Sequence, residues 1–343
     1  MRDFGKIILG IKIISINLFS IYLIYSCMNK KVSFRIFMLA VATSLAVFTS
    51  CSSRSSKDGS DEEKAKHGDI LNGRLSVIVD ETLLPIIEEQ VDVFQNSYKD
   101  SKIELVSAPE VKGINLLLQD RAKTAIMTRK LSASEEEYFK KKSISPKVFQ
   151  IATDAVVFIS NTGRADTSIT VENVVKILKG ENIGQNYSLI LDNVNSSTLR
   201  QLKDIGKIEK ISGKGLKAME NGEEVLSYVA EHTDGIGIIS YDQWLNAKRS
   251  FQNKDKIRTL SVQNSLTKEG DNKFYLPNQS TLAEGLYVLS RPVYILNYQP
   301  DMGLGVGFSA FLTGDRGQRI MLKADLVPAT MPGREIIIRD KVE

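Results

Sequence analysis

The chain has 343 residues, more than one compact core usually serves, so two lobes of ordinary domain size are expected. With 42% hydrophobic and 25% charged residues, its composition is that of a globular protein rather than a disordered one. Residues 1–50 hold six Lys/Arg and one acid; removing them from totals of 45 and 41 leaves 39 bases and 40 acids, so the basic excess belongs to the leader and gives no support to nucleic-acid binding, which needs a basic face on the folded body.

In chain order, residues 7–26 are apolar enough to span a membrane. Met28 then begins a second signal: a basic MNKKVSFR, an apolar IFMLAVATSLAVF, and small residues before Cys51. This ending resembles a bacterial lipobox, loosely, since Phe48 stands where a branched residue is usual; such loose forms resemble those of Bacteroidetes-type bacteria. It implies lipidation of Cys51 as the mature N-terminus, a lipid anchor, and a place in the cell envelope on the periplasmic side. The competing reading of Cys51 is an ordinary buried or juxtamembrane cysteine. Residues 28–50 are then a lipoprotein signal peptide. Residues 1–27 are an apolar N-terminal extension, either a real membrane segment or upstream sequence from too early a start codon. The second is favoured because Met28 opens a complete signal. Residues 51–72, rich in Ser and charge, read as a disordered tether.

Beyond Cys51 there is no cysteine, which excludes disulfides and thiolate metal sites in the body. His67 and His232 are far apart, and neither is expected to be catalytic or to bind metal. No cofactor is expected.

Folding signals begin near Gly73. Leu75–Asp80 alternates as a strand, and Leu84, Ile87, Val91 and Phe94 follow at helical spacing. Ile103–Ser107 is predicted as a strand, Val111–Gln119 as a helix and Thr124–Met127 as a strand. Ser132 and Glu135 form a capping box opening the next helix. Val148–Ala152 and Val156–Ser160 are strand-like. Thr170 caps a helix that stops at Gly180. Ser188–Leu191 is a strand, Ser197–Ile205 and Glu223–His232 are helices, and Ile236–Ser240 is a strand. The fold class is therefore α/β, with mostly parallel sheets flanked by helices.

Ligands of such sheets bind beyond the carboxyl ends of strands, where helix N-termini offer free N–H groups to anions. Three strand-to-helix junctions fit. Asp80-Glu81-Thr82-Leu83 offers a hydroxyl beside helix-start amides. Thr128-Arg129 leaves a strand end with a hydroxyl and a guanidinium. Ser196-Ser197-Thr198 puts three hydroxyls at a helix start. Singly, each hydroxyl is more often only an N-cap, and Arg129 more often a solvated base.

In order, KTAIMTRKLSASE, IATDAVVFISNTGRADTSITVENVVKILKG, NSSTLRQL, EEVLSYVAEHTDGIGIISYDQW, LYVLSRPVYILN and FSAFLTGDRGQRIMLKADLVP resemble the PstS-type phosphate-binding proteins. The resemblance covers roughly residues 73–330. It implies a two-lobed periplasmic-binding-protein type II fold whose lobes, joined by two hinge strands, close on the ligand. Lobe 1 is expected at 73–156 plus 241–343 and lobe 2 at 157–240. It further implies that Thr82, Leu83, Thr128, Arg129, Ser196, Ser197 and Thr198 bind phosphate.

Three features depart from the family pattern. Ser197 replaces a glycine, Asp192 stands where many members have an arginine, and SAPEVKG takes the place of a glycine-serine-rich loop. Arg200 can restore the charge if it turns inward. Asp192 or Asp80 can accept the proton that phosphate keeps near neutral pH and sulfate lacks; otherwise Asp192 is a turn or cap residue.

The expected function is capture of phosphate for the membrane permease of an ATP-driven (ABC) importer, by a monomer without catalysis. The alternative is a receptor or sensor for a different small oxyanion on the same fold. An enzyme is disfavoured because no acid/His/Ser constellation is visible, and the hydroxyl-rich helix starts argue against a purely structural envelope protein.

Overall fold

The computed structural model describes residues 69–184, 187–263 and 272–333. The leader, Cys51, His67 and most of the tether lie outside the described residues.

The chain opens with β1 (Gly73–Asp80), a 3-10 turn at Glu81–Leu83, α1 (Leu84–Ser97), β2 (Ser101–Ala108), α2 (Glu110–Leu118), β3 (Thr124–Met127) and α3 (Ala133–Lys141). Next come β4 (Lys147–Asn161), β5 (Ser168–Thr170), α4 (Val171–Lys179), β6 (Ser188–Leu191), α5 (Ser197–Gly206), β7 (Leu216–Ala218), α6 (Gly222–Glu231), β8 (Gly235–Ser240) and α7 (Tyr241–Ser250). The chain continues through β9 (Ile257–Thr259), β10 (Ser261–Gln263), β11 (Phe274–Tyr275), α8 (Gln279–Ala283), β12 (Ser290–Asn297), α9 (Leu304–Thr313), α10 (Asp315–Lys323) and β13 (Val327–Pro328).

The main sheet runs β2-β1-β3-β12-β4-β8-β6-β7. At one end β1 is parallel to β2 and β3; at the other β6 is parallel to β7 and β8. Between them, β12 and β4 run antiparallel to their neighbours. The inner parallel strands are near-continuous apolar runs because helices cover both faces: β3 and β8 are buried throughout. Where α6 crosses β8, Gly237 is required. A Cβ there would lie 2.8 Å from side-chain atoms of Ile159 and Val225 and 2.9 Å from Val229.

This is the two-lobed type II architecture, and β4 is the strand that joins its halves. Its first half pairs with β12, from Lys147↔Asn297 to Ala155↔Ser290. Its second half pairs with β8, from Val156↔Ser240 to Ser160↔Ile236. The sequence suggests two strands with a break at Thr153–Ala155. The break is absent because Asp154 faces Arg291 in the register, so the charge that interrupts the apolar run is compensated across the sheet. β8 ends at Ser240 and α7 begins at Tyr241, where the sequence places the second crossing. Even so, β9 pairs with β4 at Ile159–Asn161 and β10 with β5, so residues 257–263 lie with the second half of β4.

Several sequence signals act locally as expected. Ser132 and Glu135 form a capping box on α3, and Thr170 caps α4, which ends on Gly180 in the left-handed region at φ 82°.

Candidate functional site

The carboxyl ends of the parallel strands from both lobes face one another. β1 ends at Asp80, β2 leads into Glu110, β3 into Thr128, and β6 into Asp192 and the start of α5. The 3-10 turn after β1 holds Thr82 in place, because the Asp80 carboxylate accepts both the Thr82 amide (3.0 Å) and its hydroxyl (2.9 Å). Ser240, at the end of β8, donates to the Thr82 carbonyl at 2.6 Å. Leu83 follows in the same turn with its side chain in the core.

Across the gap, Ser197 is the first residue of α5. Its hydroxyl lies 3.2 Å from that of Thr82. Arg291, on β12, joins them: one terminal nitrogen donates to Ser197 Oγ at 2.8 Å and the other to Thr82 Oγ1 at 2.9 Å. The same guanidinium donates through Nε (2.9 Å) and Nη2 (2.8 Å) to Asp154 Oδ2. Arg291 is 2% exposed and Asp154 0%, so this ion pair is fully desolvated. The other oxygen of Asp154 accepts the Asp242 amide at 3.1 Å. Burial and the neighbouring Asp154 charge push the Asp242 carboxyl well above the usual range.

A second cluster forms around Glu110, the first residue of α2. Its carboxylate accepts Thr128 Oγ1 (3.0 Å), Arg129 Nε (3.3 Å) and Arg200 Nε (2.6 Å). Arg200 also donates to Thr128 Oγ1 (3.0 Å) and to Asp204 (2.6 Å). Arg129 forks onto both oxygens of Glu135, at 2.7 and 2.9 Å. These bonds hold the Glu135 carboxyl down to about 2.

The remaining predicted residues form a third group. Ser196 caps α5 by accepting the Leu199 amide at 3.3 Å, and its hydroxyl shares a 2.8 Å bond with that of Thr198. Thr198 donates to Asp192 Oδ1 at 3.1 Å. Asp192 is buried, which lifts its carboxyl to about 6 against the lowering effect of those hydroxyls. Glu81 is raised to about 7 by burial and by the charges of Asp192 and Asp80, with Lys112 opposing.

Thr82 and Ser197 thus meet at Arg291, and Thr128, Arg129 and Arg200 meet at Glu110, while Ser196 and Thr198 are engaged in capping and in holding Asp192. Arg200 reaches Glu110 and Thr128 on one side and Asp204 on the other. Sequence reasoning passed over Arg291, Asp154 and Glu110. A usable signal existed for the first two: each is a charged residue inside an otherwise apolar strand, and such a residue needs a buried partner.

Residues 56–316 match the PBP superfamily domain, most of the chain. The chain belongs to the PBP superfamily. It is 24% identical to the phosphate-binding protein PstS of Staphylococcus epidermidis over 252 residues, which are 69% of this chain and 73% of that protein. Among solved structures, it is similar to a phosphate-bound protein from Clostridium perfringens assigned as a phosphate ABC transporter substrate-binding protein. There the TM-score is 0.60 at 17% identity, over 75% of this chain and all of that one. An ABC-type phosphate transport receptor from Vibrio cholerae gives a TM-score of 0.57 at 17% identity, again over 75% of this chain and all of the other.

Proposed function

We propose that this PBP-superfamily chain is a lipid-anchored, extracytoplasmic binding protein that captures phosphate between its lobes and hands it to an ATP-driven importer. The observation that carries the reading is the junction of Thr82, Ser197 and Arg291. Two hydroxyls from opposite lobes share one buried guanidinium at the carboxyl ends of the strands. Such donors suit an oxyanion, and their position makes binding depend on closure. Similarity to the phosphate-binding protein PstS of Staphylococcus epidermidis and to a phosphate transport receptor of Vibrio cholerae supports phosphate. The lobes are assigned as 73–156 plus 241–343 and 157–240, with residues 257–263 attached to the second by pairing. Thr82, Leu83, Thr128, Arg129, Ser196, Ser197 and Thr198 are assigned to the ligand, Asp80, Asp192 and Arg200 to its proton and charge, and Cys51 to the lipid.

A second reading, a receptor for another small oxyanion, is favoured by the carboxylates of Glu81 and Asp192, whose proton affinity is raised by burial and by neighbouring acidic charge. Such a site prefers a protonated oxyanion over a fully ionised one.

Calorimetry of the purified protein with phosphate, sulfate and molybdate tests both readings. Tight, selective phosphate binding is expected. Tight binding of another oxyanion without phosphate would establish the second reading, and binding of none would end both.

A further inference from the structure

The Glu110 carboxylate sits where an anion would be expected to sit. It is 1% exposed, and its bonds come from Thr128, Arg129 and Arg200, three of the donors assigned above to the ligand. Thr128 and Arg129 come from the first lobe and Arg200 from the second, so one carboxylate spans the gap. The backbone beside it does the same: the Val111 amide donates to the Asn195 carbonyl at 3.4 Å. Glu110 is also the first residue of α2, where the helix dipole favours a negative charge.

We infer that Glu110 is an internal stand-in for the anion, a latch that holds the lobes shut and competes with the ligand for its donors. This inference rests on the phosphate reading for its affinity arm but not for its closure arm. Both guanidiniums are already compensated, Arg129 by Glu110 and Glu135 and Arg200 by Glu110 and Asp204. An incoming dianion must therefore move Glu110 aside, and Glu110 must find water or another cation. Affinity at this site is set by that exchange and not by the number of donors alone. The latch acts as a filter: an anion that bonds Thr128, Arg129 and Arg200 better than one carboxylate opens and replaces it, and a weaker one does not.

The test uses the full chain in detergent, with Glu110→Gln, Glu110→Asp and Arg200→Gln. Hydrogen exchange of residues 109–112 and 193–200, without added anion, reads closure. Calorimetry with inorganic phosphate at pH 7 reads competition. For Glu110→Gln, exchange at both segments should quicken and phosphate affinity should rise by about tenfold or more, a factor worth about 1.4 kcal/mol. Glu110→Asp, which keeps the charge, should hold affinity near that of the natural protein. If Glu110→Gln does not fold, Arg200→Gln reads closure by removing the opposite partner. Unchanged exchange at both segments would overturn the latch. So would a phosphate affinity that is unchanged or lower in Glu110→Gln, which is the mark of a merely structural ion pair. If no variant binds phosphate but exchange quickens, the ligand assignment fails and the latch stands.

Discussion

Thr82 and Ser197 are 115 residues apart in the chain, yet their hydroxyl oxygens lie 3.2 Å apart. One hydroxyl comes from the turn after β1 and the other from the start of α5, which follows β6 at the opposite end of the main sheet. Replacing Ser197 by Ala removes a donor without adding bulk. Phosphate affinity should fall by about tenfold, matching a net hydrogen bond of roughly 1–1.5 kcal/mol. Titration calorimetry checks this, and an unaltered affinity would remove Ser197 from the site.

Arg291 and Asp154 form a buried cross-strand ion pair. Arg291→Met leaves the Asp154 charge buried without a counter-ion, held only by the Asp242 amide, at a cost of about 3–5 kcal/mol. Adding Asp154→Leu should recover part of that loss, because the stranded charge goes with it. Chemical unfolding of the single and double variants reads both effects. A double variant less stable than Arg291→Met would contradict the account.

Asp192 links stability to pH. Its folded pKa of about 6 lies above its ordinary 3.8, so the folded state keeps a proton that the unfolded chain has lost. That contribution is complete below pH 3.8 and is lost as pH rises through 6. The shift corresponds to about 3 kcal/mol. Asp192→Asn should therefore flatten the decline of melting temperature between pH 4 and pH 7. Parallel declines in both proteins would refute this origin.

The same substitution probes selectivity. If Asp192 accepts the proton of bound phosphate, Asp192→Asn narrows the preference for phosphate over sulfate. Competition binding at pH 7 measures the ratio, and an unchanged ratio removes Asp192 from that role.

Gly237 lets α6 approach β8. Gly237→Ala forces a methyl against Ile159, Val225 and Val229 and should cost about 1–3 kcal/mol. Because β8 pairs with the second half of β4, thermal melting should register the loss directly.

Much of the architecture was legible in the residues because it is decided locally. Ser132 with Glu135, Thr170 with the amide three residues on, and Gly180 at a helix stop act within one turn of chain. Strands such as β8 are legible as apolar runs because only burial on both faces tolerates them. The hydroxyls of Thr82, Thr128 and Ser197 were legible for the same reason, since a strand end followed by a helix start is a short pattern.

The two features that govern the site are not of this kind. Asp154 meets Arg291 across 137 residues, and Glu110 meets Arg200 across 90. In the sequence Asp154 reads as a break in a strand, and Glu110 is one residue of the SAPEVKG segment ahead of a helix expected to begin at Val111. By itself the sequence determined the alternation of strands and helices, and with it the hydroxyl-bearing junctions where an anion can be held. Only the tertiary structure decided which charges are buried together there. Desolvation makes a buried charge seek a partner, and which partner comes within reach depends on how the two lobes face each other.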